Sequence, residues 1–533
     1  MTQDDHGKAL NSTQLARATS LIMLALMMSG ILGLIRQMVI SATFGLDANL
    51  DTFYAALRVP ETLFTLVAGG ALGSAFIPVF ARFLAQDDFK GAWRLASTLL
   101  SLMMLGAIIL SAFAFVFADV LVKYMLWRGG DAAEQALVTE LMRIMLATVM
   151  IFGASGIVMG ILNTYQHFLA PALAPSMYNV GIIIGAVFLA PSLGVHGLAW
   201  GVLIGSLLHL GIQLPNLFRL PHTQLQINLD WKVPGASEVL LLMGPRVLGL
   251  GVVQINFWVN ASLASNMVAG SYGALTTAFT LMFVVLGVLG QSVGTAAFPT
   301  LSRLHAEGNI KAFWETLTNA LSSVMFLSIP AGFGLAALAH PIITVLFERG
   351  EWTPRDTSGT AWALLLFGIG LAGHAALEIL ARAFYALRDT WTPVKIGGLT
   401  MLLNIVLSLF LIRVMGYPND DNFARGSFGG LALSMSISTA IESTILWIML
   451  RRRVGLPAGD VTSRAGKTLI AALVMAFIVA LWRELGRGLP SLPLLLIGVI
   501  VGGASFWIMA LVLRLEEAQI VPRMVLGKLG IRV

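Results

Sequence analysis

Long apolar runs separated by short polar segments occupy almost the whole chain. Many of these runs reach the ~20 residues that an α-helix needs to cross a bilayer. Each run begins and ends at charged or turn-forming residues. These limits predict fourteen transmembrane helices, at 18–42, 52–80, 95–121, 135–163, 168–191, 196–216, 237–264, 271–301, 314–346, 357–386, 394–415, 427–450, 465–483 and 490–513. The pattern therefore predicts an all-α polytopic membrane protein.

Composition supports the same fold class. Hydrophobic residues make up 57% of the 533 residues and charged residues only 11%, against roughly 25% charged in soluble domains. The chain has no cysteine, which excludes disulfides and thiolate metal sites. The start "MTQDDHGKAL" carries two acids, unlike the basic start of a signal peptide, and we expect the first helix to be retained.

The basic residues are distributed unevenly between the predicted loops. If the N-terminus is cytoplasmic, the inside segments hold 20 of the 33 Lys and Arg residues and the outside segments hold 8. Lys and Arg collect in cytoplasmic loops, so both termini are predicted to be cytoplasmic. The same rule explains the net charge of +6 without a nucleic-acid partner.

One polar segment occurs twice. "IPVFARFLAQDDFKGAWR" begins at Ile77 and "FPTLSRLHAEGNIKAFWE" begins at Phe298, and the distance along the chain between these two starts is called the repeat offset below. This offset aligns residue types that seldom match by chance: Gly69 with Gly290, Gly73 with Gly294, Pro78 with Pro299, Arg82 with Arg303, Lys90 with Lys311, Trp93 with Trp314, Arg128 with Arg349 and Gly129 with Gly350. With one residue of slippage, the segment around Tyr165 resembles that around Tyr385. The chain is therefore an internal duplication.

The duplication predicts the domain organisation. Each copy contains six helices, an even number, so both insert in the same orientation and are related by an axis along the membrane normal. Transporters commonly place a substrate between two such lobes. The predicted parts are a cytoplasmic tail 1–17, an N-lobe 18–216, a cytoplasmic linker 217–236, a C-lobe 237–452, helices thirteen and fourteen in 453–513 and a cytoplasmic tail 514–533.

Motifs of catalysis are not visible in the sequence. It contains no nucleophile elbow, phosphate loop or zinc-binding spacing, so we expect neither an enzyme nor a resident cofactor or metal. Transport work would then draw on a coupling ion, the membrane potential or a downhill substrate. Candidate functional residues are the ionisable ones within helices, which are costly in hydrocarbon: Arg36, Arg58, Glu61, Glu140, Arg143, Arg246, His374, Glu378, Arg382 and Glu442.

Spacing predicts that some of these residues neutralise each other. Glu140 and Arg143 stand three apart and Glu378 and Arg382 four apart, and side chains at these spacings are neighbours on a helix. Both are predicted to form ion pairs within the bundle. His374 lies one turn before Glu378, and we interpret it as a packed core histidine rather than a proton relay.

Arg36 differs because no acid lies at helical spacing from it. Its planar guanidinium suits phosphate or carboxylate. Two interpretations remain open. Arg36 either lines a cavity and faces an anion, or it forms a structural pair with Glu61 of the next helix, where Arg58 also lies.

Several segments resemble the MurJ (MviN) family of lipid II flippases, within the superfamily of multidrug, oligosaccharidyl-lipid and polysaccharide exporters. They include "GILGLIRQMVISATFG", "LFERGEWTPRDT" and "ILARAFYALRDTWTPVKIG", and the likeness covers roughly residues 15–455. The resemblance implies fourteen helices in all, of which twelve form two lobes and two are an extra pair. It also implies movement of a lipid-linked peptidoglycan precursor across the bacterial cytoplasmic membrane by alternating access, and a cavity that receives its pyrophosphate head.

The resemblance implies an anion-binding site that this chain shares in part. Arg36 matches the family's first-helix arginine, Asp51 the acid that opens helix two, and Arg58 a basic position before the proline. Glu61 stands where the family has Asn. Arg246 is the candidate for a compensating cation.

Three cationic positions of the family are replaced here, by Gly30, Phe64 and Thr280. A lipid II flippase is the first hypothesis, with membrane lipids and cell-wall synthesis proteins as further partners. A flippase for another lipid-linked oligosaccharide, a cation-coupled small-molecule antiporter and a non-transporting scaffold are the alternatives.

Overall fold

A computed structural model of the protein describes residues 12–69, 75–416, 423–454 and 459–518. Within these ranges the regular structure is helical, without strands, which confirms the all-α fold class. The α-helices, numbered in chain order, are α1 Ser12–Phe44, α2 Ala48–Phe64, α3 Ile77–Ala85, α4 Phe89–Val116, α5 Ala118–Leu121, α6 Ala132–Met145, α7 Ala147–Thr164, α8 Leu169–Ile184, α9 Ala190–Leu193, α10 Val195–Gly211, α11 Leu214–Phe218, α12 Ala236–Ala264, α13 Ser271–Leu286, α14 Ser292–Ala306, α15 Ile310–Ala337, α16 Ala339–Phe347, α17 Pro354–Ala386, α18 Trp391–Val414, α19 Gly429–Val454, α20 Gly459–Leu485 and α21 Ser491–Val512.

The described helices are long and apolar enough for thirteen membrane spans. Each of these spans overlaps one of the predicted helices. The remaining prediction, 52–80, covers α2, the π-helical turn Thr65–Gly69 and the start of α3. It also includes residues 70–74, which lie outside the described part of the chain. The count of fourteen therefore stays a prediction.

The chain divides into two compact units, Met1–Asn266 and Met267–Val533. The first unit contains α1–α12 and the second contains α13–α21. Helix α12, which the sequence assigns to the second lobe, is thus grouped with the first unit, where it packs along α2 and the π-helical turn. The predicted boundaries of the lobes, linker and tails stay predictions.

The duplication inferred from the sequence is visible in the helix boundaries. Helices α4 and α15 begin at Phe89 and Ile310 and end at Val116 and Ala337, so both limits are separated by the repeat offset. Their caps also correspond. Asp88 accepts a hydrogen bond from the backbone N–H of Gly91, and Asn309 accepts one from that of Ala312. A capping oxygen of this kind satisfies one of the unpaired N–H groups at a helix start.

The turns between helices repeat as well. Asp87 and Gly308, which are separated by the repeat offset, both adopt a left-handed backbone, with φ of 55° and 70°. Gly194 and Gly416 do the same with φ of 57° and 99°, at a separation that exceeds the repeat offset by one residue. The two copies therefore share turns as well as helices, and small insertions or deletions account for the difference in spacing.

Close helix packing fixes α8 in the first unit. A Cβ on Gly181 would stand 2.2 Å from the Cα of Gly205 on α10, and one on Gly185 would stand 2.6 Å from the Cα of Gly201. Small residues at these positions let the two backbones touch, as is common between membrane helices. Helix α8 also packs along α1, so its position relative to both neighbours is defined.

In the second unit, α17 lies at the centre and packs against α13, α15 and α19. The indole rings of Trp314 and Trp447 stack with their centroids 5.1 Å apart. The last two helices, α20 and α21, are joined to α15 by a buried apolar cluster that includes Phe326, Met475 and Phe506.

Candidate functional site

Arg36 is held by an amide rather than by a carboxylate. Its Nη1 donates a hydrogen bond to Oδ1 of Asn179 on α8 at 3.0 Å. The Nδ2 of Asn179 donates in turn to the carbonyl of Ser29, one α1 turn from Gly33, at 3.2 Å. The Nε of Arg36 is buried and has no hydrogen-bond partner among the residues that the structure describes. Among the described residues Arg36 forms no ion pair.

Arg58 and Glu61 pair with each other on α2. The distance between Nη1 of Arg58 and Oε2 of Glu61 is 3.1 Å, and the two side chains are 13% and 43% exposed. The guanidinium of Arg58 also lies over the ring of Phe257, 5.3 Å from its centroid. The structure therefore does not contain the alternative pair of Arg36 with Glu61, because the Glu61 carboxylate faces Arg58.

Tyr54 brings the predicted residues of α1 and α2 together. Its hydroxyl accepts a hydrogen bond from Nε2 of the buried Gln37 at 2.6 Å, which links α2 to α1 beside Arg36. The hydroxyl lies within electrostatic range of Arg36, Asp51 and Arg58. Asp51 is buried on the same helix. These three sequence-predicted residues thus belong to one region of the first unit.

A residue of α8 links Glu61 to the same region. Tyr178, the neighbour of Asn179, lies within electrostatic range of both Glu61 and Arg36. Arg246 is the fifth predicted residue. Its backbone lies in α12, but its side chain is outside the described residues, so its contribution stays a prediction.

A polar seam joins α2 to α12. Trp258 donates its indole N–H to the hydroxyl of Thr62 at 2.8 Å, and Nε2 of Gln254 donates to the hydroxyl of Thr65 at 3.2 Å. The oxygen of Gln254 also lies 3.4 Å from the Thr62 hydroxyl. Hydrogen bonds between membrane helices stabilise them by roughly 0.6 kcal/mol each. These hydrogen bonds therefore add modestly to the packing of α2 against α12.

Sequence reasoning missed Asn179, Gln254 and Trp258 because it considered only ionisable residues. Each stands in an apolar run, as in "PSMYNVGIII" around Asn179. A side-chain amide or indole N–H in such a run needs a partner inside the bundle, because hydrocarbon offers none. That requirement is the signal that would have found them.

The predicted pair of Glu140 with Arg143 is wrong. Arg143 binds Asp119 at 2.9 Å, and Glu140 lies 3.2 Å from His196 at the start of α10. Both side chains project from the surface of α6 toward neighbouring segments. Partners on those segments satisfy them better than a neighbour on their own helix, and spacing along one helix does not reveal such partners.

The predicted pair of Glu378 with Arg382 is confirmed, since Nη1 of Arg382 binds Oε2 of Glu378. Glu378 also accepts a hydrogen bond from Gln291 at 3.2 Å. Nε2 of His374 is buried and makes no hydrogen bond in the part of the chain that the structure describes. Burial without such a hydrogen bond favours the interpretation of His374 as a packed core histidine over that of a proton relay.

Comparison with known proteins identifies a family that the chain resembles. A family model described as "Lipid II flippase MurJ" matches residues 40–499. The lipid II flippase MurJ of Burkholderia cenocepacia is 30% identical over 435 residues, which cover 80% of this chain and 82% of the relative. A probable lipid II flippase MurJ of Vibrio cholerae is 31% identical over 539 residues, covering 95% and 98%.

Solved structures agree with the sequence relatives. One described as lipid II flippase MurJ in an inward closed conformation matches with a TM-score of 0.77 and 25% identity, over 93% of this chain and 99% of that one. An inward-facing multidrug resistance transporter of the MATE family, in the MOP superfamily, matches with a TM-score of 0.63 and 16% identity, over 82% and 98%. The second likeness shows a shared fold.

Proposed function

Because the chain belongs to the MurJ family of lipid II flippases, we propose that it moves a lipid-linked peptidoglycan precursor from the inner to the outer leaflet of the bacterial cytoplasmic membrane. The family consists of multi-pass inner-membrane transporters rather than enzymes, and we propose that this chain too has no catalytic activity. The observation that carries the proposal is the charge of Arg36, which no carboxylate among the described residues neutralises.

The charge of Arg36 fits the head of the proposed substrate. A guanidinium in a membrane segment is costly unless a partner or a polar cavity compensates it. Within the described part of the chain, Arg36 has a neutral amide as partner and a buried Nε without one. The precursor carries a pyrophosphate next to its lipid, and a planar guanidinium donates two parallel hydrogen bonds to such a group. The substrate would thus supply the missing negative charge.

The other residues around Tyr54 shape the site. Asp51, Arg58 and Glu61 are proposed to line it, with Arg246 as a further cation. Because Arg58 is already paired with Glu61, Arg36 is proposed as the main anchor for the anion. Substrate would pass by alternating access of the two six-helix lobes, with both termini cytoplasmic and without a resident cofactor. The coupling ion or membrane potential would supply the driving force, and cell-wall synthesis proteins would receive the product.

Transport of another lipid-linked oligosaccharide is the second candidate function. Three positions favour it, because this chain lacks there the arginines that the resemblance implies. The ring of Phe64 packs against Phe152 with centroids 4.8 Å apart. The hydroxyl of Thr280 donates to the carbonyl of Thr276 at 2.8 Å, and Gly30 has no neighbour within 4 Å of a Cβ position. A site with fewer cations suits a head of lower charge.

The test is depletion of the protein in its own bacterium, with measurement of the fraction of lipid II that is accessible from outside. We expect that fraction to fall, and to be restored by wild type but not by Arg36→Ala. Arg143→Ala is the matched control, because Arg143 pairs with Asp119 at the surface, and it should restore the fraction. Unchanged outward lipid II would contradict the proposal, and rescue by Arg36→Ala would favour a scaffold that does not transport.

A further inference from the structure

We propose that Asn179 is a positioning residue for substrate binding: it holds the guanidinium of Arg36 in place without cancelling its positive charge. This inference rests on the proposed function, because it names a further residue that acts on the same anionic head. Asn179 is not ionisable and lies on a different helix from Arg36, so the charge pattern of the sequence gives it no role.

Both ends of the Asn179 amide are used. Its Oδ1 accepts from Arg36 at 3.0 Å and its Nδ2 donates to the carbonyl of Ser29 at 3.2 Å. A carbonyl can only accept, so the NH₂ group must face Ser29 and the oxygen must face the guanidinium. The orientation of the amide is therefore determined by α1 itself, and the side chain is only 7% exposed.

The neutral partner distinguishes Arg36 from three other arginines of the helices. Arg58 is paired with Glu61, Arg143 with Asp119 and Arg382 with Glu378. A carboxylate at position 179 would differ from the amide by one atom and would make Arg36 resemble them. The amide fixes the direction of one N–H and leaves a full positive charge for a ligand.

The helix that carries Asn179 is itself held firmly. Close to it on α8, Gly181 contacts the backbone of Gly205. On the α1 side, a Cβ on Gly33 would stand 3.8 Å from Nδ2 of Asn179. The amide is thus anchored to α1, and the helix that carries it is packed against α10. An anchored side chain positions its partner with little loss of rotamer entropy when the ligand binds.

The experiment measures the binding of lipid II to the purified full-length protein in nanodiscs. In Asn179→Asp we expect roughly ten- to hundredfold weaker binding, the range for loss of one hydrogen bond to a charged group. A polyprenol of the same chain length without the pyrophosphate head is the matched ligand, and its binding should not change. Asn179→Gln keeps a neutral amide at this position and should bind lipid II more tightly than Asn179→Asp does.

A second pair of variants separates positioning from a merely structural role. In an Arg36→Gln background, Asn179→Ala should cause no further loss of lipid II binding, because the guanidinium that the amide holds is absent. Two residues that act through one contact behave non-additively in this way. Asn179→Ala is used in both backgrounds because an aspartate would itself repel the pyrophosphate when no guanidinium faces it, and it also provides the test if Asn179→Asp fails to fold.

Two results would overturn the inference. One is wild-type affinity for lipid II in both Asn179→Asp and Asn179→Ala. The other is an equal loss from Asn179→Ala in the presence and absence of Arg36, which would show that Asn179 only packs α1 against α8. A wild-type protein that binds and flips no lipid II overturns the proposed function itself, and is distinguished from these results because it appears before any substitution is made.

Discussion

The indole N–H of Trp258 on α12 points at the hydroxyl of Thr62 on α2, 2.8 Å away. With Gln254 and Thr65 beside it, this contact ties the first helix of the second sequence repeat to the second helix of the first. If α12 moves with the second sequence repeat during alternating access, we expect this seam to open.

Locking the seam should therefore stop transport. The chain has no cysteine, so the two introduced thiols of the double variant Thr65→Cys, Gln254→Cys are its only thiols. A reversible methanethiosulfonate cross-linker should abolish lipid II flipping in proteoliposomes, and reductant should restore it. Each single cysteine treated with the same reagent is the control and should retain activity. Full activity of the cross-linked protein would show that α2 and α12 move as one body.

Glu61→Gln separates the flippase from a cation-coupled antiporter. Glu61 is 43% exposed and its visible role is to pair with Arg58. An ion pair exposed to this degree contributes about 1 kcal/mol at most, so flipping should fall by about fivefold or less. An antiporter that binds its cation at this acid would instead lose transport. The measurement is the initial rate of flipping in proteoliposomes that contain equal amounts of folded protein.

Substitution of Gly205 tests the packing that supports Asn179. A Cβ at this position would stand 2.5 Å from the carbonyl oxygen of Tyr178 on α8. Gly205→Ala should lower the melting temperature in detergent, since overpacking costs about 1–3 kcal/mol. A Cβ on Gly211, at the end of the same helix α10, would meet no described atom within 4 Å apart from those of its own stretch of helix. Gly211→Ala should leave the melting temperature unchanged, and an equal effect of both substitutions would contradict the packing argument.

Asp389 predicts a pH dependence in the segment between α17 and α18. Burial raises the pKa of its carboxyl, but hydrogen bonds from Thr392 and the ion pair with Arg453 outweigh burial and hold the pKa below its ordinary value. A lowered pKa adds stability above the unfolded pKa of about 4, and this stability is lost as the pH falls through the folded value.

The matching experiment compares wild type with Asp389→Asn by thermal unfolding across pH. Wild type should be more stable at pH 7, by about 1 kcal/mol or less because Arg453 is largely exposed. The difference should shrink below pH ~4. Asp230→Asn removes a more exposed partner of Arg94 and should show little difference at either pH. A constant difference across pH would mean that Asp389 acts through packing.

Much of the fold could be predicted because hydrophobic length and duplication are properties of the chain alone. The repeat offset predicted that α4 and α15 correspond, and both their ends do. Ion pairs were harder to predict. Glu378 with Arg382 was predicted correctly because both partners lie on one helix. Arg143 with Asp119 was missed because the partner precedes α6 on another segment, and proximity between segments is decided by packing.

The candidate site shows the same division. Arg36 was recognised because a charge in an apolar helix is costly wherever the helix lies. Asn179 was not, because a neutral amide costs less and the contact depends on how α8 meets α1. Its importance follows only from the 3.0 Å distance to Nη1 of Arg36. Sequence thus indicated the charged member of the pair, and the structure added its neutral partner.

Two π-helical turns lie at corresponding points of the two sequence repeats. Thr65–Gly69 directly follows α2, and Gly287–Gln291 directly follows α13, at a separation within one residue of the repeat offset. A π-helical turn is a local irregularity inside an α-helix, and such turns are rare. Because both copies carry one at the corresponding point, the repeated unit includes this irregular turn, and each copy departs from α-helical geometry at the same place after its second long helix.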